Sequence, residues 1–229
     1  MALVCDQLRV QRGGFELRAN WALPKGARVA VIGPSGAGKS LLLGAIAGFE
    51  ELSLGRVTLD GQDLSPLSPA ERPATIMFQS HNLFPHLSAG VNVGLGIAPN
   101  RSMTRAERVR VDEALASVGL KGFADRLPGE LSGGQASRVA LARALVRERP
   151  LLLLDEPFSA LGPGLRRDML ALVADIQGRS GATVLYVTHA PEEAETADLA
   201  VFVEEGYAAE PVAPNVLFAN PPAGLRDYL

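Results

Sequence analysis

Cysteine, tryptophan and histidine are scarce in this chain of 229 residues, at one, one and three copies. The single cysteine, Cys5, excludes an internal disulfide framework and suits a reducing compartment; it reads as a small apolar residue near a strand. Aromatic residues make up only 5%, so the core must be built mostly from Leu, Val, Ile and Ala. No apolar stretch reaches the ~18 to 20 residues needed to cross a bilayer. The start, MALVCDQLRV, lacks a basic segment followed by a long apolar run, so no signal peptide is expected. A soluble chain is the expectation, with any membrane role arriving through a partner. A basic stripe is missing too: net charge is −3 and the pI is near 5.7, which argues against a nucleic-acid binder. What is present, 47% hydrophobic and 21% charged residues, is an ordinary globular balance. The length suits one substantial core or a core with a small lobe. A mean hydropathy of +0.14 is compatible with a sizeable docking surface. There is no internal repeat and no low-complexity tract.

Short β-runs such as Leu8-Arg9-Val10 and Phe15-Glu16-Leu17 are broken by Gly13-Gly14 and by Pro24-Lys25-Gly26. Arg28 to Ile32 is a β-rich apolar run that ends in glycine and precedes a helical pattern from Lys39 to Ile46. A further strand pair is predicted around Val57 to Leu59 and Thr75 to Phe78. Thr104-x-x-Glu107 forms a capping-box pattern, and Val111, Ala114, Leu115 and Val118 share one face of the helix that follows. A helix is predicted over Gln135 to Arg147, then a buried strand over Leu151 to Leu154. A second helix is predicted near Leu165 to Gln177, with strands at Thr183 to Val187 and Leu199 to Val203. Strands alternating with helices imply an α/β fold whose largely parallel sheet is covered on both faces. The helix-rich stretch between about 85 and 145 reads as an inserted lobe.

Gly33-Pro34-Ser35-Gly36-Ala37-Gly38-Lys39-Ser40 fits G-x-x-x-x-G-K-[ST], after a strand and opening a helix. Glycines let backbone N–H groups curl around phosphate oxygens, and the helix N-terminus adds partial positive charge. Lys39 is expected to reach the β- and γ-phosphates of a nucleotide and the Ser40 hydroxyl to coordinate Mg²⁺. Leu151-Leu152-Leu153-Leu154-Asp155-Glu156-Pro157 is an apolar strand ending in two carboxylates. Adjacent strand residues point to opposite faces, so the two acids should differ in role. Asp155 is assigned to Mg²⁺ through water, and Glu156 to polarising the attacking water.

Leu131-Ser132-Gly133-Gly134-Gln135 lies upstream of LLLLDEP. By itself it reads as a helix start capped by Ser132. In this order, beside the other two motifs, it resembles the signature sequence of ATP-binding-cassette (ABC) proteins, and the resemblance runs from near the N-terminus to about residue 205. The resemblance implies a P-loop NTPase fold in a single domain over 1–229. Its RecA-like core spans about 1–84 and 146–229, with a mainly parallel sheet and an N-terminal antiparallel part, and a helical subdomain spans about 85–145. It also implies a head-to-tail homodimer in which Ser132 and Gly134 of one copy contact the γ-phosphate held by the other. Gln79, in IMFQ, is similar to the family's Q-loop glutamine, which contacts Mg²⁺ and faces the membrane partner. His189, in YVTHA, is similar to the switch histidine that bonds the γ-phosphate. Three departures from the pattern stand out. Arg12, in QRGGF, stands where the adenine-stacking aromatic is found, so stacking falls to its guanidinium, to nearby Phe15, or to neither. Gly162 replaces the aspartate of SALD, which usually helps couple the two sites. Ala136-Ser137 replaces the usual Arg-Gln after the signature.

Only about 25 residues follow Val203, so no long regulatory C-terminal domain is expected. Ser80 to Gly96 corresponds to the groove that receives a coupling helix of the membrane subunit. Leu83, Phe84 and Leu87 suit that use, and a buried loop core explains them nearly as well. FQSHNLFPHLS…NVGLG, LPGELSGG and LVRERPLLLLDEPFSAL are most similar to the ATPase subunits of bacterial thiamine importers. That resemblance implies ATP and Mg²⁺ as cofactors, transmembrane permease subunits and a periplasmic binding protein as partners, and a peripheral place at the cytoplasmic face of the inner membrane. Cargo never touches this subunit, so an importer for another small solute stays open, as do a soluble cassette ATPase without transport and a bare nucleotide-binding regulator.

Overall fold

The structure is a computed structural model that describes residues 3–226. In chain order its elements are β1 (Leu3–Arg12), β2 (Phe15–Leu23), β3 (Arg28–Ile32), α1 (Lys39–Ala47), β4 (Leu54–Leu59), β5 (Gln62–Asp63) and β6 (Ala74–Met77). Then follow α2 (Ala89–Gly94), α3 (Arg105–Ser117), α4 (Gly133–Leu145), β7 (Leu151–Leu154), α5 (Pro163–Ser180), β8 (Thr183–Val187), α6 (Pro191–Ala194), β9 (Leu199–Glu204), β10 (Tyr207–Ala208), α7 (Pro214–Ala219) and α8 (Ala223–Arg226). Over the described residues they group into two compact units, one of residues 3–76, 150–156 and 177–226, the other of residues 77–149 and 157–176.

The first unit is built on a ten-stranded sheet in the order β5-β4-β1-β2-β10-β9-β3-β8-β7-β6. One side is antiparallel: β1 pairs with β2 and with β4, and β4 with β5. The other is parallel, with β3 between β8 and β9, and β7 beside β8. Burial follows from this. β1 alternates buried and exposed positions, whereas every residue of β7 and β8 is buried, as expected where a parallel sheet is covered on both faces. The core is aliphatic as the composition demanded, with Leu8, Leu17, Val29, Val31, Leu42, Leu43, Ile46, Leu151, Leu153 and Leu185 fully buried. Cys5 is buried in β1 and unbonded to sulfur, and burial pushes its thiol pKa well up. The strands over Val57–Leu59 and Thr75–Phe78 both form, yet they do not pair: β4 lies between β5 and β1, while β6 is the opposite edge, beside β7. Proximity in the chain misled there, because a parallel crossover separates sequence neighbours.

In the second unit α2, α3 and α4 pack on one another. The Thr104–Glu107 capping box forms in full, and Val111, Leu115 and Val118 are buried while Ala114 is half-buried. Helix α4 runs from Gly133 to Leu145, two residues earlier at both ends than the sequence pattern indicates, and Ser132 caps its start. Helix α5 is longer than predicted, and of its apolar positions Met169 and Val173 are buried.

Candidate functional site

Three neighbouring parallel strands, β3, β8 and β7, end along one edge of the sheet, and each is followed at once by a sequence-predicted group: Gly33 to Ser40 after β3, Asp155 and Glu156 after β7, and His189 one residue beyond Thr188 after β8. Such strand ends are where open α/β sheets bind ligands.

The loop after β3 needs glycine at its start. Gly33 has φ 155, and a Cβ there would lie 1.9 Å from the Val203 carbonyl oxygen. Lys39, the first residue of α1, is buried, and its Nζ donates to the carbonyls of Gly33 and Pro34, both at 2.7 Å. The lysine thus closes the loop on itself. Burial lowers its pKa, and the charges of Glu156 and Asp155 oppose that shift. Behind the loop, buried Arg72 holds the far end of α1: Nη1 donates to the carbonyls of Ala45 at 2.9 Å and Ile46 at 2.7 Å, and Nε to Leu67 O at 3.1 Å. No sequence pattern singled out Arg72; a lone arginine before an apolar strand carries no signal of its own.

Asp155 is 6% exposed. Its pKa is raised by burial, while a hydrogen bond from Ser40 opposes the rise and Glu156 adds to it. Its Oδ1 is buried with no hydrogen-bond partner, an expensive arrangement for a carboxylate in a protein interior. A Ser40 hydroxyl bonded to a carboxylate with a spare buried oxygen is the donor set a hard cation takes, so the residues fit Mg²⁺. Glu156 departs from the sequence argument in its cause. β7 ends at Leu154, and Glu156 has φ 48, so a left-handed turn, not the strand pleat, separates the two acids. A non-glycine residue in that region marks a constrained position. Its Oε1 lies 2.9 Å from His189 Nε2.

Arg12 ends β1 opposite Phe15. Its side chain is 71% exposed and pairs with Glu50 at 3.0 Å. Phe15 is nearer the phosphate loop, since a Cβ on Gly38 would lie 3.1 Å from its ring.

The second unit carries the other predicted residues. Gln79 is exposed in the turn after β6. The segment beyond it is held from within: Arg143 donates to the carbonyls of Asn82 at 2.8 Å and His81 at 2.7 Å. Buried Asn92 accepts from Phe84 N and donates to the carbonyls of Phe84, Leu87 and Ser88. Phe84 is 46% exposed, so a buried loop core does not account for it. Ser132 Oγ accepts from Gln135 N–H at 3.3 Å, and Gln135 Oε1 accepts from Ser132 N–H at 2.9 Å. Gly134 is packed so closely that a Cβ would lie 3.1 Å from Leu161 and 3.2 Å from Ala160 O. Ser137, one of the departures from the family pattern, is buried and donates to Pro157 O at 2.7 Å.

A glycine-rich strand-to-helix loop with a buried lysine, flanked by two acids and a histidine at adjacent strand ends, defines a P-loop nucleotide-binding protein. The sequence profile described as "ABC transporter" matches residues 17–159. A "Thiamine import ATP-binding protein ThiQ" of Cereibacter sphaeroides is 53% identical, covering 98% of this chain and 97% of that protein. The protein of the same name from Ruegeria sp. is 50% identical over the same shares. Among solved structures, the dimeric ATP-binding cassette MJ0796 in a post-hydrolysis state bound to ADP and Pi superposes with a TM-score of 0.83 at 29% identity, covering 93% of this chain and 99% of that one. The chain belongs to the ABC transporter family.

Proposed function

We propose that this chain is the ATP-binding subunit of a bacterial thiamine importer, hydrolysing ATP as a pair of copies docked on transmembrane permease subunits. It would sit at the cytoplasmic face of the inner membrane, with a periplasmic binding protein delivering the cargo. The observation that carries the hydrolytic reading is the convergence of Lys39, Asp155, Glu156 and His189 on three adjacent strand ends. The cargo is supported by relatives about half identical over nearly the whole chain.

The backbone N–H groups of residues 33–38 wrap the phosphates, with Lys39 exchanging its two carbonyl partners for phosphate oxygens. Ser40 and Asp155 would hold Mg²⁺, and the resemblance adds Gln79. When bound, the ion would neutralise charge developing on the phosphate oxygens. Glu156 accepts a proton at Oε1 from the attacking water, and His189 Nε2, now on that oxygen, turns to the γ-phosphate. Ser132 and Gly134 of the partner copy close the site. Phe15 and Arg12 are the side chains available to the adenine face.

The test joins hydrolysis, pairing and transport. Glu156→Gln should bind ATP yet lose about 10²- to 10⁴-fold in kcat. Given ATP and magnesium it should accumulate as a dimer in light scattering. Wild-type protein assembled with its permease should take up labelled thiamine. Normal turnover in the variant removes Glu156 from its role; uptake of another solute but not thiamine keeps the ATPase and replaces the cargo.

A further inference from the structure

Thr188 and Glu193 have no role in the hydrolytic mechanism so far, yet both are buried, at 4% and 5% exposure. A carboxylate is kept inside a protein only where its bonding repays the loss of water. Here that bonding is concentrated on one turn. Glu193 Oε2 accepts from Thr188 Oγ1 at 2.6 Å, and the same hydroxyl accepts from Ala190 N–H at 3.0 Å. A single chain of donors and acceptors therefore links the residues on either side of His189 to one buried carboxylate. The base of the turn is anchored as well. Thr188 N–H donates to Val31 O in β3 at 3.1 Å. The Glu193 carbonyl accepts from Tyr186 OH at 2.8 Å and from Thr196 Oγ1 at 2.7 Å. His189's own side chain is 34% exposed, and this anchored turn carries it toward Glu156.

We propose that Thr188 and Glu193 are positioning residues: together they fix the turn at 188–190 and so hold His189 Nε2 within reach of Glu156 and of the reacting phosphate. The arrangement acts through geometry. Thr188 contributes one hydroxyl used in both directions, and Glu193 orients that hydroxyl by accepting its hydrogen bond, turning an oxygen lone pair toward Ala190 N–H. A loosened turn lets the imidazole swing while the phosphate loop, on a different strand end, is untouched. Turnover should therefore suffer far more than nucleotide affinity. This inference rests on His189 acting at the γ-phosphate.

The experiment compares Thr188→Val, Thr188→Ser, Glu193→Gln and His189→Ala in the complex with permease, measuring kcat, KM for ATP, ATP affinity and thermal midpoint. Thr188→Val keeps the shape and deletes the hydroxyl, and should lower kcat by about 10- to 100-fold with ATP affinity nearly unchanged. Thr188→Ser should restore most of the rate. Should Thr188→Val fail to fold, Glu193→Gln decides the matter: a neutral acceptor makes a weaker bond, and kcat should fall by about tenfold at unchanged affinity. Wild-type kcat in these variants alongside a collapsed rate in His189→Ala overturns the positioning role and leaves the histidine reading intact. Normal turnover in His189→Ala removes that reading itself. Equal losses of affinity and rate show a fold defect and also overturn the proposal.

Discussion

At the strand ends the polar groups of the site, Asp155 Oδ1 apart, are engaged with one another. Lys39 bonds its own loop, Ser40 bonds Asp155, and Glu156 meets His189. The turn at Ser132 is the reverse case. Its hydroxyl satisfies Gln135 N–H and its carbonyl satisfies Ala136 N–H, so the first N–H groups of α4, those of Gly133 and Gly134, are the ones a helix cannot bond itself. Ser132 and Gly133 are exposed. A site assembled from buried mutual contacts must break bonds to receive a ligand, and in exchange its geometry is set in advance. A helix start offers its donors outward with nothing to break. The same contrast predicts unequal costs of mutation: high behind the strand-end site, low at the turn.

The largest effect tests the first half of that contrast. Arg72→Met removes the guanidinium that serves the carbonyls of Ala45, Ile46 and Leu67. Losing all three bonds of a buried guanidinium should cost about 3 kcal/mol, even with Ala45 O keeping its bond from Gly48 N–H. For a chain of this size that lowers the thermal midpoint by roughly 6 to 12 °C. Calorimetry of the purified subunit checks it. Arg72→Lys keeps the charge without the planar fork and should fall between. A midpoint within a degree of wild type would mean the strand-end site does not depend on its internal bonding.

The second test separates structure from function at the turn. Ser132→Ala deletes the cap and should cost about 1 kcal/mol. Ser132→Asp caps equally well, so its stability should stay within a few tenths of a kcal/mol of wild type. In the proposed pairing, however, the carboxylate would face the partner copy's γ-phosphate, and ATP-driven pairing should be lost. Cap restored and pairing lost is the expected result; pairing retained by the aspartate would reduce Ser132 to a helix cap.

The same contrast explains what was legible in the sequence. Strand ends that carry chemistry declare themselves by local order: Gly33 to Ser40 and Leu151 to Glu156 are contiguous, and β3, α1, β7 and β8 fell where periodicity placed them to within a residue. What stayed hidden is whatever depends on partners distant in the chain. Arg72 acts on residues 26 and 27 positions away, and neither β4 nor β6 signals its neighbour. The left-handed turn at Glu156 was invisible because alternation is a rule for strands, and β7 stops two residues earlier. Glu193 reads as one more acid in a polar helix start; only its burial sets it apart.

The smallest effect concerns Gly162, where the family resemblance expects aspartate. Nothing in the backbone demands glycine: its φ lies outside the left-handed region, and a Cβ would meet nothing within 4 Å. It precedes Pro163, the first residue of α5, and its carbonyl accepts from Arg166 N–H at 3.0 Å, which makes it the cap position of that helix. Aspartate is a better cap than glycine by a few tenths of a kcal/mol, worth about 1 °C here. Gly162→Asp should therefore fold and melt slightly higher, measured by the same calorimetry. A lower midpoint would show that this exposed loop, like the buried site, is held by contacts that resist substitution, and the contrast between the two regions would fail at its cheapest point.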